Sequence, residues 1–425
     1  MTDLEDRLRQ ALSAEAERAQ PGMLRPLRAP RAPAAMGWLA TGARPRRRWP
    51  GWVVPLAAGG AVIAVVAGTM AVSSAIHGRR AAAGANLAHR AIAYVANRQG
   101  TVTPIRTATN TALPPIKAGD NPDFIAITPD GKTVYVANYV YQRGTVTPIR
   151  TATNTALPPI KVGRTPAAIA ITPDGKTVYV ANFDSGTVTP IRTATNTALP
   201  PVKVGRLPVA IAITPDGKTV YVANNGSGTV TSIRTATNTA LPPIKTGPHP
   251  NAIAITPDGK TAYVASDVYA GTVTPIQTAT NTALPPVKTG RSPGAIAITP
   301  DGKTAYVTNS GSGTVTPIRT ATNTALPPIK TGETNAIAIT PDGKTAYVTN
   351  SGSGTVIPIR TATNTALSPI KVGRTPAAIA ITPDGKTAYV ANFLSGTVTP
   401  IRTATNTALP PIKTGYYPGA IAITP

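Results

Sequence analysis

The stretch Ile169-Ala-Ile-Thr-Pro-Asp-Gly-Lys-Thr-Val-Tyr-Val-Ala-Asn182 decides the fold. Ile-Ala-Ile-Thr alternates large and small groups, as a strand with two different faces does. Pro-Asp-Gly-Lys is a tight turn, and Val-Tyr-Val-Ala is the returning strand. The unit recurs, with the turn aspartate at 130, 174, 216, 258, 301, 342 and 384, spaced 41 to 44 residues apart. A period near 42 without helical periodicity marks a propeller or a solenoid. One unit holds four expected strands, at Ile169–Thr172, Val178–Ala181, Thr187–Arg192 and Ala198–Lys203. Four short antiparallel strands make one propeller blade.

Working outward, the strand-two tyrosine occurs eight times, at 94, 135, 179, 221, 263, 306, 347 and 389. Ile-Ala-Ile-Thr-Pro also occurs eight times, the last at Ile421–Pro425. The repeats begin with a second strand and finish with a first strand, so the last strand is expected to complete the first blade. The fold class is therefore all-β, an eight-bladed propeller of four-stranded antiparallel blades over residues 91–425, with a seven-bladed ring as the alternative. Pro200-Pro201 in the fourth strand removes ladder donors and suits an outer edge. Pro190 inside the third strand is expected at a bulge or strand end.

Composition agrees. The 425 residues are 4% aromatic and 14% charged, with 45 Pro and 37 Gly, the profile of short strands and turns rather than of a large aromatic core. There is no Cys, which excludes disulfides, thiolate metal sites and Cys nucleophiles, and three His make a histidine metal site a poor expectation. No cofactor is expected.

Ahead of the repeats lie three other segments. Residues 1–50 contain ten Arg, no Lys and five acids; Thr2, Leu4, Glu5 and Leu8 outline a short helix that could dock a cytoplasmic partner, and a Pro/Arg-rich linker follows. Trp52 to Ile76 is uncharged for 25 residues. As a helix it is about 37 Å long, against a hydrocarbon core of about 30 Å. Residues 51–77 are thus expected to cross a membrane once, with 78–90 as a linker. The run Arg46-Arg-Arg48 lies on the N-terminal side, which places that side in the cytoplasm and the propeller outside. A cleaved signal peptide is the competing reading.

Tyr306-Val-Thr-Asn309 and Tyr347-Val-Thr-Asn350, with the flanking Thr-Pro-Asp-Gly and Thr-Ala-Thr-Asn-Thr segments, resemble the YVTN β-propeller repeat family. The resemblance covers residues 91–425 and implies a bacterial or archaeal cell-envelope propeller. Where that family usually has Val-Ile-Asp, this chain has Pro-Ile-Arg, as at Pro190–Arg192, which makes its rim more basic.

Strand direction alternates, so the Asp-Gly and Thr-Asn turns share one face and the remaining loops share the other. The turn face is nearly identical in every unit. The loop face is not, and loops on a rigid scaffold are where binding residues collect. It is expected to hold the aromatics Phe124, Tyr139, Tyr141, Phe183, Tyr269, Phe393, Tyr416 and Tyr417. The same loops carry Arg98, Arg143, Arg164, Arg206, Arg291, Arg374 and His249, with the acids Asp120, Asp123, Asp184, Asp267 and Glu333. Each turn Asp is expected to cap its own turn rather than bind metal.

With 28 basic and 12 acidic residues, the propeller would attract an anionic envelope polymer or a protein. Nucleic acid is disfavoured because no aromatics interleave the basic stripe. Neither a catalytic triad nor a phosphate loop appears. The functional expectation is accordingly a non-catalytic binding or envelope-scaffold module, with a purely structural surface protein, and then a propeller hydrolase or dehydrogenase, as alternatives. Oligomeric state is left open.

Overall fold

The structure is a computed structural model that describes residues 91–140, 143–267 and 270–425. The expected head (1–50), membrane span (51–77) and linker (78–90) lie outside the described residues, as do Tyr141 and Tyr269. Among the described residues no helix is long and apolar enough to cross a membrane.

The chain builds eight sheets of identical order, so the seven-bladed alternative is set aside. In the third blade the innermost strand is Pro166–Ile171, followed outward by Thr177–Asn182 and Thr187–Arg192. The expected fourth strand is in fact two pieces, Thr197–Ala198 and Val202–Lys203, both paired to the third strand. Leu199-Pro-Pro201 interrupts it because the two prolines have no N–H to contribute.

That interruption accommodates Pro190. Tyr179 faces Pro190 in the register, and the Leu199 amide donates to the Pro190 carbonyl at 2.8 Å. A strand residue's N–H and C=O point to the same side. The pyrrolidine nitrogen therefore aims at the gap in the outer strand, where no ladder bond is lost. No bulge is needed, contrary to expectation.

The ring closes as the sequence arithmetic requires. Pro418–Ile423 pairs antiparallel with Ile92–Asn97, Val95 facing Ile421. The Ile92 amide donates to Thr424 Oγ1 at 2.9 Å, and the Thr424 amide to the Ile92 carbonyl at 3.0 Å.

Side chains of one repeat lock the next. Every strand-two tyrosine is buried, and its hydroxyl donates to the Asn of the following blade's Thr-Ala-Thr-Asn-Thr turn. Tyr94 reaches Asn154 at 2.7 Å, Tyr179 reaches Asn238 at 2.7 Å, and Tyr389 closes the circle on Asn110 at 2.5 Å. Those asparagines sit at φ of 52° to 53°, which Asn tolerates better than most residues. Burial pushes the Tyr94, Tyr135, Tyr179, Tyr221, Tyr263, Tyr306 and Tyr347 hydroxyls up to about 12.

The turn aspartates act as caps. Asp174 Oδ1 accepts from the Thr172 hydroxyl at 2.6 Å and from the Lys176 amide at 3.0 Å, and the same pair recurs at the other six turns. Burial pushes the Asp174 carboxyl up, but these hydrogen bonds and the Lys176 charge outweigh it and hold it below the usual range. The outer-strand lysines do not share this face: Lys203 pairs with Thr187, at the loop-face end of the third strand.

Candidate functional site

On the loop face the backbone is as regular as on the turn face. The residue before each strand-opening proline has positive φ at Asn121, Thr165, Leu207, His249, Ser292, Thr375 and Tyr417, between 51° and 59°. Each of these carbonyls accepts the amide of the residue that follows the second strand's Asn or Ser: Tyr139, Phe183, Asn225, Asp267, Ser310, Phe393 and Arg98 respectively, Tyr139 lying inside the longer strand Thr133–Val140 and not in a loop as expected. The Glu333 carbonyl takes the Ser351 amide in the same way. The loops therefore present eight paired side-chain positions on a fixed frame. The pairs differ around the ring. From the eighth blade through the first to the third they include Phe393, Arg98 with Tyr417, Tyr139 and Phe183. Across the ring they are Asn225 with Leu207, Asp267 with His249, Ser310 with Ser292, and Ser351 with Glu333.

The aromatic half centres on one buried acid. Every innermost strand shifts register just after its first residue, and Asp123 is the bulged residue between Pro122 and Phe124. The equivalent positions are Ala167, Val209, Asn251, Gly294, Asn335, Ala377 and Gly419, so Asp123 is the one charge in the ring of eight. A bulge re-aims its side chain. Here the carboxylate meets Arg98 of the neighbouring blade in a two-pronged pair, Nε to Oδ1 at 2.9 Å and Nη2 to Oδ2 at 2.8 Å. The Asp123 side chain is 3% exposed and that of Arg98 25%. A methyl added at Gly419 would lie 2.9 Å from Asp123 Oδ1, so the glycine leaves the room the carboxylate occupies.

Burial pushes the Asp123 carboxyl up, against the Arg98 charge and hydrogen bonds that pull it down. A perturbed buried acid beside a partly open cation marks a candidate functional site. Two of the five guanidinium donors go to Asp123. The Arg98 side chain keeps about a quarter of its surface exposed, so its remaining donors can meet an incoming oxygen.

Aromatic rings flank the pair. The guanidinium carbon of Arg98 lies 5.1 Å from the Phe393 ring centre, a cation–π distance. Phe393 and Tyr417 have centroids 5.0 Å apart, and Tyr416 and Tyr417 6.4 Å. Tyr139 completes the group: burial raises its hydroxyl pKa, Asp123 and Asp184 raise it further, and Arg98 lowers it.

The other expected residues separate from this cluster. Phe124 is a correction: it lies inside the innermost strand Pro122–Ile127 and is buried in the core, not in a loop. Phe183 is half-buried at its loop position, and the Thr165 hydroxyl donates to the Asp184 carboxylate. Arg164, Arg206 and Arg374 are exposed, each with its amide held by a serine hydroxyl of the facing loop. Arg164 also reaches the Asp184 carbonyl at 3.2 Å. Asp120 and Arg143 line a separate depression of about 370 Å³ between the first two blades. His249, Arg291 and Glu333 are exposed on the polar half. Among the described residues no group of three or more His, Asp or Glu could hold a metal ion. The sequence reading does not single out Gly419. Its signal was present as the small residue at the repeat position of Asp123, but only the ring places the two together.

Residues 98–206 match the family model described as Lactonase, 7-bladed beta-propeller. The match begins at Arg98 and takes in Asp123, Tyr139 and Asp184. No curated protein sequence matches the chain. Among solved structures, hydrazine synthase of Kuenenia stuttgartiensis superposes with a TM-score of 0.57 at 26% identity, over 67% of this chain and 96% of that one. The dihydro-heme d1 dehydrogenase NirN gives 0.66 at 14% identity, over 79% and 75%. A Bacteroides fragilis protein described as a candidate 6-phosphogluconolactonase gives 0.56 at 20% identity, over 79% and 98%. The last two likenesses carry the fold alone.

These findings overturn the expectation of a non-catalytic binding or scaffold module. The family model matching residues 98–206 is that of a propeller enzyme, and the similar structure at 26% identity is hydrazine synthase. The expectation failed because it looked for His, metal or triad clusters along the chain. The Arg98–Asp123 pair, by contrast, is assembled between two blades and has no cluster signature along the chain.

Proposed function

We propose that this protein is a propeller hydrolase that opens lactone rings at the Arg98–Asp123 cluster. One observation carries the reading. The segment resembling a lactonase coincides with the place where an otherwise repeated face buries a single acid against a cation. The two carboxylate oxygens keep lone pairs beyond those facing Arg98, so Asp123 can accept a proton from water. The water oxygen bonds to the lactone carbonyl carbon as that proton passes to Asp123. The outer edge of Arg98 holds the carbonyl oxygen as it gains negative charge. The ring C–O bond then breaks, the leaving oxygen takes the proton back from Asp123, and the product is the hydroxy acid. Water is the only co-reactant.

The test is base uptake in a pH-stat, with the full-length protein and a panel of five- and six-membered lactones. Hydrolysis that drops at least about 100-fold in Asp123→Asn supports the reading, since a general base contributes about 10²–10⁴. No lactone consumed, or a variant as active as the parent, rejects it.

The repeats we assign to the YVTN type, on Tyr306–Asn309, Tyr347–Asn350 and their flanking turns. The uncharged run Trp52–Ile76 and the arginines ahead of it support one membrane-spanning helix with the propeller outside the cytoplasm. Protease protection of the propeller in sealed cells or inverted vesicles checks that placement.

A further inference from the structure

The eight blades act as internal controls for what the fold requires. The position of Tyr417 is filled elsewhere by Asn, Thr, Leu, His, Ser and Glu, with the same backbone bond. Phe393 has Ser310 and Ser351 as its counterparts. An aromatic ring at either place is therefore not needed to hold the loop. Yet the two rings meet at 5.0 Å beside Arg98, and Tyr416 and Tyr417 stay 66% and 47% exposed. Flat apolar surface is costly to leave open unless something covers it.

The charges around this surface argue against a phosphorylated guest. Arg98 is matched by Asp123, and Arg164 lies against the backbone of acidic Asp184. At the Tyr139 hydroxyl, the negative charges of Asp123 and Asp184 are opposed by Arg98. A phosphate dianion placed at that hydroxyl meets two carboxylates and an arginine already paired with one of them.

We propose that the lactone carries an aryl or alkyl group that packs on Phe393, Tyr416 and Tyr417 while its carbonyl reaches Arg98. This rests on the ring-opening reading above and adds the substrate class. Tyr417 and Phe393 are then specificity-determining residues, and Asp123 is shared by all substrates.

The experiment compares kcat/KM of the full-length protein for dihydrocoumarin, δ-decalactone, gluconolactone and 6-phosphogluconolactone. The two apolar lactones are expected to be preferred by at least tenfold. In Tyr417→Ala, with Tyr416→Ala as the solvent-exposed variant least able to disturb folding, the preference for dihydrocoumarin over gluconolactone falls about three- to tenfold, the range of a single aromatic contact. Preference for the phosphorylated sugar lactone, or an unchanged ratio in both variants, overturns the substrate class and leaves ring opening standing. Hydrolysis of none of the four defeats the ring-opening reading itself. Saturation-transfer NMR with dihydrocoumarin on Asp123→Asn separates the two further, because packing on the rings survives the loss of the base.

Discussion

The two faces of the ring use the same backbone discipline to different ends. On the turn face, side chains do the holding: aspartate caps the turn in seven blades, and in all eight a tyrosine grips the next blade's asparagine. On the loop face the hold common to all blades is a backbone bond to the residue before the innermost strand, and the side-chain contacts, such as the serine hydroxyls on the Arg164, Arg206 and Arg374 amides, differ from blade to blade. Eight copies thus separate what folding needs from what it does not. A residue that departs once from its repeat and is nevertheless buried, as Asp123 is, has no structural counterpart to explain it.

The sharpest way to break this contrast is to remove the closing strand. Deleting residues 418–425 leaves the Ile92–Asn97 edge unpaired and takes away the glycine that accommodates Asp123. We expect loss of cooperative thermal unfolding, followed by calorimetry or circular dichroism. Next in size is Asp123→Asn, expected to cost at least about 100-fold in kcat/KM while tyrosine latching on the other face is untouched. The pH profile has a stated sign. Asp123 works deprotonated and its carboxyl is raised, so kcat/KM should fall with acid at a pH above the ordinary carboxylate value. The turn face responds to acid in stability, and at lower pH. Asp130, Asp174, Asp216, Asp258, Asp301 and Asp342 are held below their usual range. The stability they contribute is present above about pH 4 and is lost as the pH falls through their depressed values.

The tyrosines set the alkaline limit. Their folded values near 12 exceed the ordinary 10, so their contribution is intact below pH 10 and lost as the pH rises toward 12. Absorbance at 295 nm should show phenolate appearing together with unfolding. A smaller effect is expected of Tyr179→Phe, about 1 kcal/mol from one lost hydrogen bond, measured by urea titration. At the bottom of the scale, Glu333→Gln on the polar half should change lactone turnover by less than twofold. A large loss there would show that the two halves of the loop face are not functionally distinct.

Much of this was legible in the sequence. Eight Tyr-Val and eight Ile-Ala-Ile-Thr segments counted the blades and foretold the noncovalent seam between Pro418–Ile423 and Ile92–Asn97. Asp-Gly turns declared their caps. Pro190 was not legible, because its tolerance depends on a gap created by Leu199-Pro-Pro201 in another strand. The Tyr–Asn latch was not legible either: its partners are about 60 residues apart and belong to different blades. The candidate site was half visible. Arg98, Asp123 and the aromatics were named as loop residues, but their convergence at the seam, with Gly419 making room, required the ring.

The seam has a consequence for how the chain reaches its native form. Every innermost strand carries nearly the same Ile-Ala-Ile-Thr, so the free edge at Ile92–Asn97 is chemically open to strands that emerge from the ribosome before Pro418–Ile423 does. Selection of the right one cannot come from side-chain identity. It comes from circumference: a circle closed early leaves later repeats with no neighbour to grip, and only the last arrival satisfies all eight tyrosines together.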